Sequence, residues 1–237
     1  GNTPCVFCSC GNTGIIIDAG TGINNLGQTL VASGKDLSEL NLHLLLSHTH
    51  WDHIQGLPFF APAYVKGTKL TIYGSPQKER FLETILKGQM DINYFPVDMN
   101  AFAAEMSIVE IAENIKLGPI TVEWQEQIRH PGGSVRYALK ASGKKIVYAS
   151  DVELDTIFCE EQTPENVKLG KEYRAFVHGA DLLIADAQYT EEEYASKRGK
   201  FWGHTSIPTI ISIAAEEKVK QLALFHHDPQ HSDTMLD

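Results

Sequence analysis

Positive charge is scarce in this chain. Its 237 residues carry 20 Lys and Arg against 30 Asp and Glu, a formal net charge of -10 with histidine neutral. A protein this anionic does not draw its affinity from neutralising a long run of phosphates, so a small or locally steered substrate is expected. Cysteine is sparse as well. Cys5, Cys8, Cys10 and Cys159 lack the dense, even spacing of a secreted disulfide scaffold, which points to a reducing cytoplasm. No apolar run approaches the roughly 18 residues of a membrane span, and no charged segment leads into an apolar core as a signal peptide would; no membrane association is expected. Repeats, low-complexity tracts and long linkers are absent too. These absences imply one domain over residues 1–237, with enough apolar content to bury a sizeable core. The chain opens at Gly1-Asn2-Thr3 without methionine, so an upstream start is expected.

What the sequence does contain is a set of short apolar, β-rich runs, each followed by a residue able to bind metal or move a proton. Ile15-Ile16-Ile17 leads into Asp18, and Leu44-Leu45-Leu46 into Ser47-His48. The run from Thr121 to Ile128 leads to His130, and that from Ile146 to Ala149 to Ser150-Asp151. Leu182 to Ala185 precedes Asp186, and Leu222 to Phe225 precedes His226. Any one of these polar residues would pass as a strand cap. Six together predict sheets whose C-terminal strand ends gather the chemistry on one edge. Helices are expected at about 76–87, 191–196 and 207–218, and the acidic stretch 152–179 reads as a helix with a surface loop.

The densest signal is Ser47-His48-Thr49-His50-Trp51-Asp52-His53. In an extended segment, side chains two apart share a face, so His48 and His50 can grip one ion, while Asp52 and His53 follow on a turn and can face a second. Imidazole and carboxylate without thiolate suit zinc, manganese or iron, and zinc or manganese is expected. Two cations about 3.5–4 Å apart activate water near neutral pH and neutralise charge on a substrate.

This HxHxDH string, the strand before it and the later isolated ligands resemble the metallo-β-lactamase superfamily over essentially the whole chain. The resemblance implies a four-layered αββα sandwich of two mixed sheets with flanking helices. It implies two metal ions, the first held by His48, His50 and His130, the second by Asp52, His53 and His226, with Asp151 bridging. His227 is the alternative to His226. It also implies a further strand before Gly1 and a helix and strand after Asp237. An edge strand there could pair with a second copy, which is compatible with a homodimer.

Departures from the family pattern narrow the branch. Position 50 is histidine where the flavo-diiron reductases carry glutamate, and Asp151 stands where the zinc β-lactamases carry cysteine, so redox and lactam chemistry lose ground. Asp186 in Leu183-Ile184-Ala185-Asp186 and His204 in Trp202-Gly203-His204-Thr205-Ser206 resemble the acidic residue and histidine of the ribonuclease Z and phosphodiesterase branch. A carboxylate bonded to one imidazole nitrogen leaves the other to donate a proton to a leaving alkoxide. In the plainer reading, His204 only starts the helix at Ile207. Ribonuclease Z grips transfer RNA with a basic, glycine-rich arm, which the acidic 152–179 stretch does not supply. Asp18-Ala19-Gly20-Thr21-Gly22, His130-Pro131-Gly132-Gly133 and Leu224-Phe225-His226-His227-Asp228-Pro229 are more similar to a bacterial group described as class II cyclic-nucleotide phosphodiesterase-like.

The expected activity is therefore hydrolysis of a small or cyclic nucleotide-like phosphodiester, with Asp52 orienting the nucleophile and His204, held by Asp186, protonating the leaving oxygen. The alternatives are a carboxylic ester, thioester or lactone hydrolase on the same scaffold, and a non-catalytic metal-bound sensor. Asp18 reads as a residue that hydrogen-bonds its turn or a ligand histidine. Cys5, Cys8 and Cys10 read as buried strand cysteines. His43, His178 and His231 have no partner at ligand spacing. Phe59, Phe60, Tyr94, Phe95, Tyr189, Phe201 and Trp202 are candidates for a wall that stacks on a ring.

Overall fold

All six apolar runs form strands that stop at or just before the residue singled out for chemistry. The computed structural model describes residues 1–75, 81–196 and 202–236, and the chain divides into two compact units, 1–121 and 122–237, with the division falling inside one strand.

The first unit runs β1 (Val6–Cys10), β2 (Thr13–Ile17), α1 (Gly22–Ala32), β3 (Asn41–Leu45), α2 (Trp51–Ile54), β4 (Lys69–Gly74), α3 (Leu82–Gln89), β5 (Glu105–Glu110) and β6 (Ile115–Leu117). Its sheet has the order β1-β2-β3-β4-β5. β1 and β2 form an antiparallel hairpin, and β2, β3, β4 and β5 are parallel neighbours. Parallel strands buried on both faces read as unbroken apolar runs, which is why Ile15, Ile16 and Ile17, and Leu44, Leu45 and Leu46, are all buried. The core of this unit gathers Ile16, Ile23, Leu44, Leu57, Phe60, Ile72 and Leu86 around the sheet. A fully buried side chain of this size contributes roughly 1.5–3 kcal/mol.

The second unit continues with β7 (Ile120–Gln127), β8 (Ser134–Ala141), β9 (Lys144–Ala149), α4 (Leu154–Phe158), α5 (Pro164–Val177), β10 (Leu182–Asp186), α6 (Glu191–Ala195), α7 (Ile207–Glu216), β11 (Leu222–Phe225) and α8 (Asp233–Leu236). Its strands follow the order β11-β10-β9-β8-β7; β8 and β9 are antiparallel, while β9, β10 and β11 are parallel. Val147, Leu183, Ala185, Tyr173, Val177, Ile210 and Ile213 form its core. Helix starts are written locally. Thr163 caps α5 by accepting from Asn166 N, with Pro164 in the first turn. Thr190 and Glu193 form a reciprocal capping box on α6.

Both sheets are mixed and flanked by helices, as expected. The helix expected over 76–87 is found as α3 at Leu82–Gln89, and 76–80 lie outside the described residues. The stretch 152–179 holds two helices rather than one, and it is less superficial than its acidity suggests: Asp155 and Asn166 are buried. Cys5, Cys8 and Cys10 are half-buried rather than buried. No helix among the described residues is long and apolar enough to cross a membrane.

Candidate metal and catalytic site

In the first unit, the strand ends of β2 and β3 set up a chain of hydrogen bonds that starts at a carboxylate. Asp18, fully buried just past β2, accepts from Ser47 N at 2.7 Å, from Ser47 Oγ at 2.8 Å and from His53 Nδ1 at 2.8 Å. The Ser47 hydroxyl has one proton, which goes to Asp18, so at 3.0 Å from His48 Nδ1 it accepts. Both imidazoles thus carry their proton on Nδ1 and keep a lone pair on Nε2, the arrangement that carboxylate-to-histidine contacts impose on metal ligands. The His48 ring centroid lies 4.4 Å from that of His50 and 4.2 Å from that of His53. His53 Nε2 faces Asp52 Oδ2 at 3.2 Å. A lone pair and a carboxylate oxygen this close repel each other unless a proton or a cation lies between them.

The turn holding Asp52 and His53 is tight for an identifiable reason. A Cβ on Gly20 would run into the Asp52 carbonyl, and one on Gly56 into the Gly20 carbonyl. The Asp-Ala-Gly-Thr-Gly segment is therefore pressed directly against α2, and Ala19 N donates to His53 O at 2.7 Å.

In the second unit, Asp151, Asp186, His204 and His226 bring one ligand-type atom each to within 4.8 Å of one another. Asp151 Oδ1 lies 3.4 Å from His226 Nε2 and 3.8 Å from His130 Nε2. His130 Nδ1 donates to the Gly203 carbonyl at 3.1 Å, so its Nε2 too carries the lone pair. Gly203 allows this approach: it has φ +79°, and a Cβ there would stand 2.7 Å from His130 Cα. The other Asp151 oxygen accepts from Ser150 Oγ. Gln127 Nε2 donates to the Ser150 carbonyl and Ser134 Oγ to that of Asp151, which fixes the loop.

Asp186 is occupied differently. Its Oδ2 accepts from His204 Nδ1 at 2.7 Å and Asp151 N at 2.9 Å, and its Oδ1 accepts from Thr205 N at 2.9 Å and Gln188 N at 3.4 Å. With two donors on each oxygen it suits orienting a histidine better than ligating an ion. The His204 ring stacks on that of His226, centroids 4.8 Å apart and planes at 14°, and meets His130 edge-on at 5.2 Å. His204 and Asp186 are both buried.

Asp18, Asp151 and His226 share a backbone peculiarity. Each sits just past a strand end with φ near +60°, at 61°, 57° and 58°. Side chains rarely adopt this left-handed region, at a cost of about 1–3 kcal/mol each, and aspartate and histidine tolerate it better than most.

Every site residue expected from sequence lies in one of these two groups: His48, His50, Asp52 and His53 in the first unit, His130, Asp151, Asp186, His204 and His226 in the second. The donor set fits divalent cations, because imidazole nitrogens already committed to one tautomer face carboxylate oxygens. His227 stands apart from the cluster that takes His226, and burial holds its imidazole below the ordinary value of 6.5. His231, expected in a polar tail, instead meets Glu193 Oε1 at 2.7 Å. His178 pairs with Glu217 and His43 contacts Tyr73 OH.

Sequence reasoning missed Asp155. It accepts from Ser206 N at 2.8 Å, Ser206 Oγ at 2.6 Å and Thr209 Oγ1 at 2.6 Å, and so anchors the segment that carries His204. Glu153 was missed too. Burial raises its carboxyl above the ordinary 4.5, and it accepts from the Tyr194 hydroxyl at 2.7 Å. Of the candidate aromatic wall, Phe60 is core, Phe59 meets Phe95 edge-on, Tyr94 and Trp202 are exposed, Tyr189 is buried, and Phe201 lies outside the described residues.

A family model described as a beta-lactamase superfamily domain matches residues 13–227. Ribonuclease Z from Bradyrhizobium sp. (strain ORS 278) is 24% identical over 271 residues, covering 98% of this chain and 86% of that protein. Among solved structures, the metallo-beta-lactamase fold protein YhfI from Bacillus subtilis has a TM-score of 0.69 at 19% identity, over 99% of this chain and 82% of that one. A diphosphatase from the PhnP family has a TM-score of 0.63 at 18% identity, over 95% of this chain and 74% of that one.

Proposed function

The chain belongs to the beta-lactamase superfamily, a family of metallo-hydrolases, and on that premise we propose that it hydrolyses the phosphodiester bond of a small or cyclic nucleotide-like molecule. We take residues 1–237 as one hydrolase domain, since the family match runs across both units. The fold implies divalent metal ions. Our assignment is two of them, zinc or manganese, the first on His48, His50 and His130, the second on Asp52, His53 and His226, with Asp151 shared. Bound there, such ions supply Lewis acidity and water activated as a nucleophile at neutral pH.

The protein's own groups carry the rest. Asp52 orients the attacking water. His204 holds its Nδ1 proton toward Asp186 and donates a proton from Nε2 to the departing oxygen, a step worth about 10²–10⁴-fold for a poor leaving group. The observation that carries this reading is the His204–Asp186 contact of 2.7 Å inside the cluster of Asp151 and His226. Carboxylic ester, thioester and lactone hydrolysis depend less on such an acid, because their tetrahedral intermediates expel better leaving groups.

Relatives named ribonuclease Z keep RNA as the second reading. Against it stands the net charge of -10, which weakens any grip on a polyanion.

The test is turnover of bis(p-nitrophenyl) phosphate, p-nitrophenyl acetate and a transfer RNA precursor by metal-counted protein, wild type against His204→Ala. Phosphodiester turnover that falls in the variant at unchanged metal content supports the proposal. Acyl turnover alone, indifferent to His204, assigns an esterase. RNA cleavage without small-molecule turnover assigns a nuclease, and metal binding with no turnover assigns a sensor.

A further inference from the structure

The second unit has a pocket of about 310 Å³ lined by Gln188, Tyr189, Trp202, Asp228, Pro229 and Gln230, a volume at the low end for small-molecule sites. Its walls come from three segments already described: the residues after Asp186, the residue two before His204, and the residues after His226. The Tyr189 ring centroid lies 6.3 Å from that of His204, so the pocket adjoins the proposed acid.

Gln188 is 5% exposed, and its buried side-chain Oε1 has no hydrogen-bond partner among the described residues. Buried amide oxygens are rarely left so, and the last torsion of glutamine is soft enough to turn that oxygen toward the pocket. Asp228 adds a buried carboxylate, which accepts from Gln230 N at 2.8 Å. The Gln188 oxygen and the Asp228 carboxylate both accept, so a ligand edge that meets them carries N–H donors, while the Gln188 Nε2 beside that oxygen can donate to a neighbouring ring nitrogen, and the carboxylate disfavours a phosphate in the same space. Trp202 presents an indole that is 62% exposed, and Pro229 offers a second apolar surface.

We infer that this pocket takes a flat heterocycle with an amino-bearing edge, a nucleobase such as adenine, stacked on Trp202 and read by Gln188. The inference rests on the phosphodiester reading and narrows it, since it supplies the nucleoside half of the substrate. A quaternary ammonium ligand such as choline needs several aromatic faces around it. Tyr189 is buried to 3% exposure, which leaves Trp202 as the open aromatic face among the pocket residues.

Two measurements on metal-loaded protein test this. The first is calorimetric titration with adenosine, which has no scissile phosphate, against choline as the competing chemistry. The second is the ratio of kcat/KM for the p-nitrophenyl ester of adenosine 5′-monophosphate to that for methyl p-nitrophenyl phosphate, which lacks a base. Trp202→Ala, at an exposed position, should weaken adenosine binding about tenfold or more and lower the kinetic ratio by a similar factor; Gln188→Leu should lower both as well. Equal adenosine binding in wild type and Trp202→Ala, an unchanged ratio, or binding of choline in place of adenosine would overturn the assignment. Adenosine binding without turnover of either ester would sink the phosphodiesterase reading and leave the pocket standing; turnover without adenosine binding would do the reverse.

Discussion

His204 Nδ1 stands 2.7 Å from Asp186 Oδ2, and that same oxygen accepts the backbone N–H of Asp151 at 2.9 Å. One carboxylate thus fixes both the ring of the proposed acid and the backbone of the proposed bridging ligand. Asp186→Asn keeps the shape but substitutes a donor for an acceptor on one side, so either His204 and the Asp151 N–H or the Thr205 and Gln188 N–H groups lose their acceptor. The expected result is a fall in kcat of about 10²–10⁴-fold on a poor leaving group, with KM and metal content little changed. Metal analysis beside the kinetics checks this; loss of metal in proportion to activity would make Asp186 a ligand.

Asp18 touches no proposed ion and should still control one. Its contacts to His53 Nδ1 and to the Ser47 hydroxyl set the tautomers of His53 and His48. Asp18→Asn should weaken metal affinity about 10–100-fold, read by competition with a chelator, while the fully loaded variant recovers most of its kcat.

Asp155 should matter for stability. Its carboxylate accepts three hydrogen bonds from Ser206 and Thr209 in a buried setting, and Asp155→Ala leaves those donors without it. The expected cost is about 2–3 kcal/mol, measured by urea unfolding. An unchanged midpoint would mean that water replaces the carboxylate without loss.

Acid should erase one contribution in a defined window. The Lys220 ammonium, the Lys145 backbone N–H and the Lys144 ammonium hold the Asp181 carboxyl well below its ordinary value of 3.8. A carboxyl depressed in the folded state stabilises above its unfolded value, and that contribution is lost as pH falls through the folded one. Asp181→Asn should therefore lower Tm modestly at pH 7, and the gap to wild type should begin to shrink below about pH 4 and go on shrinking as the pH falls further. The pairs lie at the surface, so salt should narrow the gap as well. A gap that fails to narrow between about pH 5 and pH 2 would assign the effect to something other than charge.

Much of the proposed site was legible because its candidate ligands follow apolar runs. A strand that must be buried announces itself in Ile15-Ile16-Ile17 or Leu44-Leu45-Leu46, and the residue after it is necessarily at a strand end. His48, His50, Asp52 and His53 also fall within six positions, where spacing alone constrains geometry. Asp155 and Gln188 carried no such signal. Asp155 stands in an acidic stretch and owes its burial to partners 51 and 54 residues away, and nothing local distinguishes it from Glu160 or Glu161, which are exposed. Gln188 is one polar residue after a strand until Trp202 and Asp228 arrive beside it from later segments. Contacts of that range are set by topology, which a local pattern does not encode.

The left-handed backbone at Asp18, Asp151 and His226 makes two opposed demands on one codon. The main chain there is best served by glycine, and the chemistry by a carboxylate or an imidazole. In a saturation library these three positions should split under two selections: sorted for folded protein, glycine should rank above alanine and far above the β-branched residues; sorted for turnover, that order should collapse, since neither glycine nor alanine offers a ligand. Positions whose rank order changes in this way would mark the site even for an experimenter who had no idea which reaction it runs.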